Sequence, residues 1–182
     1  RVRLRDILHL ALVASDNAAA RALARVSGLG TKVFVEQMNQ KAAELGLHST
    51  VFADPSGLDK RNTSTAYDLS RLIAHASEQQ KLAHIMQKPF YQMHTSRRRL
   101  QMRNTNQLLN RRVVVEAGKT GYIDASGYCL ATVVHVPGVD PLAMVVLGVG
   151  SNAGRFRDVM RLVDWVSKQG RSLVASGAYP AN

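Results

Sequence analysis

The sequence predicts one α+β domain over residues 1–182, in which helices precede an antiparallel sheet and a last helix packs on that sheet. Three observations support this fold class. Apolar residues recur at helical spacing through the first half of the chain, the period becomes that of strands after residue 112, and helical spacing returns after residue 154. This order is typical of an α+β or three-layer α/β arrangement, and the chain is long enough to bury one core.

The first 46 residues predict three helices. Apolar residues from Leu4 to Leu12 lie at helical spacing, so the first helix ends close to Ser15. Asn17 is a favourable N-cap for the second helix. A third helix is expected over residues 31–45, with Gly46 at its C-terminal cap.

The middle of the chain predicts two more helices and one stretch without an assignment. Residues 47–63 contain the turn-forming run Asp54-Pro55-Ser56-Gly57 and are expected to be irregular. Ser64 or Thr65 then caps a helix, and a short helix follows over residues 78–87. Residues 88–112 are polar and match neither period.

The last third predicts a three-stranded meander and a helix. Apolar runs favour strands at residues 113–120, 128–136 and 142–149, and the connections between them are hairpin-like. Residues 155–168 return to helical spacing. The sheet therefore has a helix available to cover one of its faces.

The chain is strongly basic, with a net charge of +11 and a sequence pI near 10.4. Such a balance favours polyanionic partners. The densest run, Arg97-Arg98-Arg99, lacks interleaved aromatics and any nucleic-acid-binding signature, so we expect a solvated basic face and no nucleic-acid partner. No apolar run is long enough to cross a membrane. The single cysteine, Cys129, is expected to be a small buried side chain.

Two tripeptides carry the candidate chemistry. Ser15-Asp16-Asn17 follows a predicted helix, where a tight loop can expose its side chains, and Lys119-Thr120-Gly121 lies on a predicted strand. Serine acyl transfer needs an activated hydroxyl, a proton shuttle and donors for the oxyanion. One known solution uses lysine as the shuttle and is marked by Ser-x-x-Lys, then Ser-x-Asn, then Lys-Thr-Gly. The second and third marks occur here, in that order.

With these motifs and four further segments, the chain resembles the low-molecular-mass penicillin-binding proteins, the serine D-alanyl-D-alanine peptidases of cell-wall metabolism. The segments are Arg5-Asp6-Ile7-Leu8, Phe52-Ala53-Asp54-Pro55-Ser56-Gly57-Leu58-Asp59, Arg103-Asn104-Thr105-Asn106-Gln107-Leu108-Leu109 and Gly127-Tyr128-Cys129-Leu130. The second segment looks most like the murein DD-endopeptidase branch. The resemblance implies a β-lactamase/transpeptidase-like fold, with an antiparallel sheet flanked by helices and an all-helical half.

The resemblance also implies catalytic roles for three residues. Ser15 would pass a proton towards the leaving amine, and Asn17 would hold the substrate amide and the catalytic lysine. Lys119 would make the pocket positive and favour the substrate carboxylate. The reaction would pass through an acyl-enzyme that β-lactams trap, and it needs no metal or other cofactor.

Four residues are implied to bind substrate. Thr120 would hydrogen-bond the carboxylate, and Gly121 leaves room for the substrate backbone. The backbone N–H of Tyr122 would be one oxyanion donor. Arg103 is a further candidate contact for an anion. The partners implied are a peptidoglycan peptide and β-lactams, at a periplasmic or cell-envelope location with peripheral association.

The first mark of the resemblance is missing, because no lysine in the chain has a serine three positions before it. In the family this Ser-x-x-Lys segment stands before Ser-x-Asn, so we expect the nucleophile helix and two strands of the sheet to precede residue 1. We therefore expect the 182-residue chain not to be stable alone in this fold. A second fragment, a second copy or a swapped strand would have to complete the sheet.

Other functions remain open at this point. A class A-type β-lactamase shares all three motifs but needs a deacylating glutamate, for which Glu44 is the only nearby candidate. A non-catalytic cell-wall-binding remnant fits the chain as it stands, while a nucleic-acid binder is supported by charge alone. Carboxypeptidase and endopeptidase share the same residues, so the sequence does not separate them.

Overall fold

The structure, a computed structural model, describes residues 2–94, 98–137 and 139–175, with side chains described up to residue 169. Five helices come first, as the helical spacing predicted. They are α1 (Leu4–Val13), α2 (Asn17–Val26), α3 (Thr31–Glu44), α4 (Ala66–Glu78) and α5 (Gln80–Met86). No helix among the described residues is both long enough and apolar enough to span a membrane.

Two sheets and one helix follow. A hairpin and a short 3₁₀ helix at Gln107–Asn110 precede a separate three-stranded antiparallel sheet in the order β3-β4-β5. The elements are β1 (Phe90–His94), β2 (Arg99–Arg103), β3 (Val114–Ile123), β4 (Gly127–Val136), β5 (Val139–Val149) and α6 (Asn152–Ala175). The predicted α+β order is thus confirmed.

The three-stranded sheet separates two cores. On β4, Leu130 and Val134 pack with Phe156 and Val159 of α6, while Val133 packs on the opposite face with Ile73 of α4. Side chains alternate between the faces of a strand, so β4 supplies both cores. Phe156 and Val159 are fully buried, and each such side chain contributes about 1.5–3 kcal/mol by leaving water. The result is a helix–sheet–helix sandwich with α1, α2 and α3 beside it.

The predicted N-cap of α2 is wrong by one residue. Asp16, not Asn17, has the extended backbone of a cap, and its carboxylate accepts the N–H of Ala19 at 2.7 Å. Asn17 is already the first helical residue. A carboxylate at this position also interacts favourably with the positive end of the helix dipole.

Among the described residues of the stretch 88–112, for which the sequence predicts neither helix nor strand, β1 and β2 form an antiparallel pair and the 3₁₀ helix follows. The hairpin strands have few buried side chains, so their sequence lacks an apolar period. Arg97 of the basic run lies outside the described residues. The expectation of a buried Cys129 is also wrong, because that side chain is partly exposed and its thiol lies near the carbonyl of Ser126.

A close contact at Gly118 joins β3 to the loop before the 3₁₀ helix. A Cβ atom at Gly118 would lie 2.3 Å from Nδ2 of Asn106 and 3.1 Å from Oγ1 of Thr132. Both neighbours are buried, and Oδ1 of Asn106 already accepts the N–H of Leu108 at 3.1 Å. Only glycine therefore lets this loop reach β3 without a shift.

We predict that Gly118→Ala destabilises the full-length protein by about 1–3 kcal/mol, the usual cost of overpacking a buried contact. Gly150→Ala is the matched control, because a Cβ there meets nothing within 4 Å. Thermal unfolding measures both variants. An equal melting temperature for Gly118→Ala and the wild type would contradict the contact.

Candidate active site

The first wall of the site is the turn between α1 and α2. Ser15 has φ +55°, the left-handed region that costs an L-residue about 1–2 kcal/mol. The turn is held because the N–H of Asp16 donates to the carbonyl of Leu10 at 3.1 Å, while the Asp16 carboxylate caps α2. Strained residues of this kind cluster at functional sites. The turn presents the Ser15 hydroxyl towards β3.

The second wall is β3, where Lys119 meets Ser15. The ammonium Nζ of Lys119 donates a hydrogen bond to Oγ of Ser15, 104 residues away in sequence, and a second one to the carbonyl of Thr120 at 2.7 Å. Among the described residues, β3 pairs with β4 alone, so its outer edge offers alternate N–H and C=O groups to a ligand. The structure thus brings the two tripeptides together.

Lys119 has an unusual acidity. Burial and the nearby charge of Arg155 lower the pKa of its amine to about 8. A buried ammonium without a carboxylate partner is costly, so the neutral amine is favoured more than in water. This group can therefore gain or lose a proton close to neutral pH.

Arg155 of α6 is hydrogen-bonded to the same stretch of β3 and to β4. Its Nη1 donates to the carbonyls of Gly121 at 2.9 Å and Cys129 at 3.2 Å, and its Nη2 donates to Oδ1 of Asn152 at 2.6 Å. Gly121 and Cys129 are directly paired on β3 and β4. Arg155 is only 6% exposed, and burial lowers the pKa of its guanidinium, which still carries its charge. In the sequence, Arg155 marks only the start of a predicted helix.

Thr105 connects the two walls. Its N–H donates to the carbonyl of Val13 at the end of α1, at 3.0 Å, and its hydroxyl lies 2.6 Å from that of Thr120 on β3. The preceding Asn104 pins the loop, because its amide donates to the carbonyls of Met86 at 3.0 Å and Lys88 at 2.9 Å. Thr105 belongs to the segment 103–109 that carries the resemblance, but no sequence signal assigned it a role of its own, since it lies in the stretch that matched neither period.

The third wall is the loop that carries Asp54. Its carboxylate accepts the backbone N–H groups of Ser56 at 2.9 Å and Gly57 at 3.0 Å, and the side-chain amide of Asn62 at 2.6 Å. Burial alone would raise the pKa of Asp54, but hydrogen bonds from Ser56 and Asn62 outweigh it and hold that pKa well below its usual range. The carboxylate of Asp54 therefore makes its hydrogen bonds within its own loop and stays ionised.

The three walls enclose a cavity of about 890 Å³. Its polar lining consists of Ser15, Asp16, Asn17, Asp54, Ser56, Asn62, Thr105, Lys119, Thr120, Tyr122 and Arg155. Gly121 also lines it. The side chain of Asn17 makes no hydrogen bond to another described residue, and Tyr122 is 50% exposed and stacks on Tyr128.

Two candidate residues do not line this cavity. Arg103 is exposed on β2 and lines a neighbouring hollow. Glu44 is exposed at the end of α3, where it pairs with Lys41. The described residues contain no cluster of three or more His, Cys, Asp or Glu side chains suited to a metal ion.

Comparison with solved structures identifies proteins with a similar fold. A mutant DD-transpeptidase from Streptomyces is 28% identical, with a TM-score of 0.83 over 94% of this chain and 69% of that one. A penicillin-binding protein of Listeria monocytogenes, solved with bound cefotaxime, is 30% identical, with a TM-score of 0.76 over 90% of this chain and 66% of that one. The fold and the serine–lysine pair thus define a protein of the penicillin-binding, transpeptidase-like class.

The sequence comparisons then give the family. Residues 1–151 match the profile of the family described as D-alanyl-D-alanine carboxypeptidase, and the chain belongs to that family. The D-alanyl-D-alanine endopeptidase of Escherichia coli is 38% identical over 91% of this chain and 56% of its own length. The endopeptidase of Pseudomonas aeruginosa is 34% identical over 91% of this chain and 54% of its own length. The chain thus spans about half the length of these relatives.

We predict that Lys119 titrates near pH 8 in the folded protein, as its lowered pKa indicates. The unfolded chain binds the extra proton up to the ordinary pKa of 10.5, so Lys119 makes the free energy of unfolding rise with pH between 8 and 10.5. ¹⁵N NMR of labelled lysine measures the titration, and Lys119→Met identifies the signal.

Two substitutions of Arg155 test whether its charge lowers the pKa of Lys119. Arg155→Met should raise the pKa of Lys119, because it removes a nearby positive charge, whereas Arg155→Lys should keep that pKa low. A titration of Lys119 that is identical in both variants would show that Arg155 has no electrostatic influence on it.

Proposed function

We propose that the full-length protein is a serine DD-peptidase of peptidoglycan metabolism that cleaves D-alanyl peptide bonds and is acylated by β-lactams. The observation that carries the proposal is the hydrogen bond from Lys119 to Ser15 inside a cavity that Thr120 also lines. Family membership and the named activity of the relatives support the same reaction. A periplasmic or cell-envelope location, with peripheral attachment by the basic surface, belongs to this proposal.

The proposed reaction has two stages. A serine supplied by a Ser-x-x-Lys segment attacks the D-alanyl carbonyl, and the lysine of that segment takes the serine proton. The backbone N–H of Tyr122 stabilises the oxyanion. As the C–N bond breaks, Ser15 gives its proton to the leaving amine and regains one from Lys119, and Lys119 is recharged by the proton that the lysine of Ser-x-x-Lys took from the serine. Water then hydrolyses the ester, which releases the shortened peptide and restores the serine.

The residues of the chain fit the charge changes of this cycle. Lys119 can exchange a proton near neutral pH because its pKa is about 8. Its charged form and the hydroxyl of Thr120 also offer a carboxylate two favourable contacts. The side chain of Asn17 lines the cavity without a hydrogen bond to another described residue, so its amide is available to the substrate peptide.

A second space next to Lys119 has the properties needed for the missing segment. This apolar hollow of about 340 Å³ lies between the helices and the sheet. Leu12, Leu72, Ile73, Leu82 and Ala131 are among its lining residues. We propose that it receives the apolar face of the Ser-x-x-Lys helix, as part of the same polypeptide or as a second fragment.

A fluorescent penicillin tests the proposed function. The full-length protein should be labelled at a serine outside residues 1–182, and Lys119→Ala should slow labelling by about a hundredfold, the usual range for one proton-transfer or oxyanion group. The chain 1–182 alone should not be labelled. A folded full-length protein without any label would favour the non-catalytic cell-wall-binding alternative.

Rapid turnover of a chromogenic cephalosporin would instead favour a β-lactamase. The position of Glu44 argues against that outcome, because Glu44 is exposed, pairs with Lys41 and does not line the cavity. We therefore expect a long-lived acyl-enzyme with β-lactams.

We further predict that Thr105→Val lowers kcat/KM for peptides with a free terminal carboxylate by roughly fivefold, the value of about one neutral hydrogen bond. The hydroxyls of Thr105 and Thr120 lie 2.6 Å apart, and we propose that Thr105 is the donor, which leaves the proton of Thr120 free for the carboxylate. Thr105→Ser keeps this donor and should restore the rate. An equal loss with a peptide whose terminus is amidated would contradict this role for Thr105.

A further inference from the structure

A second hollow adjoins the site cavity next to Thr120. It has a volume of about 900 Å³ and lies between the β1–β2 hairpin, the 3₁₀ helix and the start of α6. Thr105 and Arg155 line both spaces, and Thr105 is hydrogen-bonded to Thr120. A ligand whose carboxylate is held at Thr120 therefore has this hollow directly beside it.

The hollow is cationic. Arg103, Arg111 and Arg155 line it, and none of its lining residues is Asp or Glu. The side chains of Arg103 and Arg111 make no ion pair or hydrogen bond with another described residue, and Arg155 meets only neutral acceptors. Charges of one sign in a concave surface reinforce each other's field, so the hollow attracts anions.

The remaining lining suits a peptide rather than an isolated ion. Gln101, Gln107 and Asn110 provide side-chain amides that can pair with peptide groups. Phe90 and Pro89 provide an apolar surface, and Phe90 is 48% exposed. A volume of about 900 Å³ lies within the range that binds ligands larger than a single small anion.

We propose that this hollow is the subsite for the peptide attached to the leaving amine, and that Arg103 and Arg111 bind a second carboxylate carried by that peptide. The proposal rests on the proposed function, because Thr120 marks the leaving side only if it holds the substrate carboxylate. Arginine is suited to this task, since its planar fork pairs with both oxygens of a carboxylate. The site would then cleave within cross-linked peptides as well as at a free end.

The test compares two substrates in the full-length protein. Both contain the same D-alanyl bond and the same extension on the leaving residue, which ends in a carboxylate in one peptide and a carboxamide in the other. Arg103→Gln and Arg111→Gln should each lower kcat/KM for the carboxylate peptide by roughly fivefold, as expected for one exposed charged hydrogen bond. The carboxamide peptide should change by no more than about twofold, within the range of surface substitutions.

Arg21→Gln is the matched control, because Arg21 is exposed on α2 and lines neither space. It removes the same charge and should leave both peptides unaffected. An equal loss in Arg21→Gln would mean general attraction between the basic chain and an acidic peptide, and would overturn the subsite. An equal loss with both peptides, or no loss with either, would overturn it as well.

Penicillin labelling distinguishes a failure of the proposed peptidase function from a failure of the proposed subsite. A wild-type protein that is not labelled refutes the proposed function, whereas normal labelling with unchanged carboxylate selectivity refutes the subsite alone. Labelling also reports whether the variants fold. If Arg103→Gln does not fold, Arg103→Lys keeps the charge but loses the fork, and should retain part of the preference for the carboxylate peptide.

Discussion

The hydrogen bond between Lys119 and Ser15 is the contact on which the site depends, because it joins the helical half to the sheet. Neither partner holds its position by itself. Ser15 is kept in a left-handed conformation by the end of α1 and the cap of α2, and Lys119 follows the course of β3. Thr105 then sets the distance between α1 and β3, since it is hydrogen-bonded to the carbonyl of Val13 and to the hydroxyl of Thr120.

Two positive side chains, Lys119 and Arg155, lie close together at the site. Lys119 and Arg155 lie close enough for the charge of one to lower the pKa of the other. The carboxylate of Asp54 makes its hydrogen bonds within its own loop, and among the described residues it forms no ion pair with Lys119 or Arg155. A partly buried positive charge without a partner is costly, and an anionic ligand removes that cost. The arrangement therefore favours an anionic ligand.

The sequence predicted those features that depend on local patterns. Helical spacing predicted α1 to α6, and the two tripeptides marked Ser15 and Lys119. Two residues whose roles the sequence did not indicate act over long distances: Arg155 reaches two carbonyls of the sheet, and Thr105 reaches α1 and β3. Neither side chain belongs to a periodic pattern. The hairpin was missed for a related reason, since strands with few buried residues carry no apolar period.

Thr105 and Arg155 also explain why substrate length and catalysis would be linked here. Each residue lines the site cavity on one side and the cationic hollow on the other, while holding β3 or its neighbours in place. A peptide that fills the hollow therefore contacts the same groups that position Thr120 and Gly121. Under the proposed function, binding energy from a distant carboxylate would hold the scissile bond against β3, and would improve reaction of the longer substrate more than that of the shorter one.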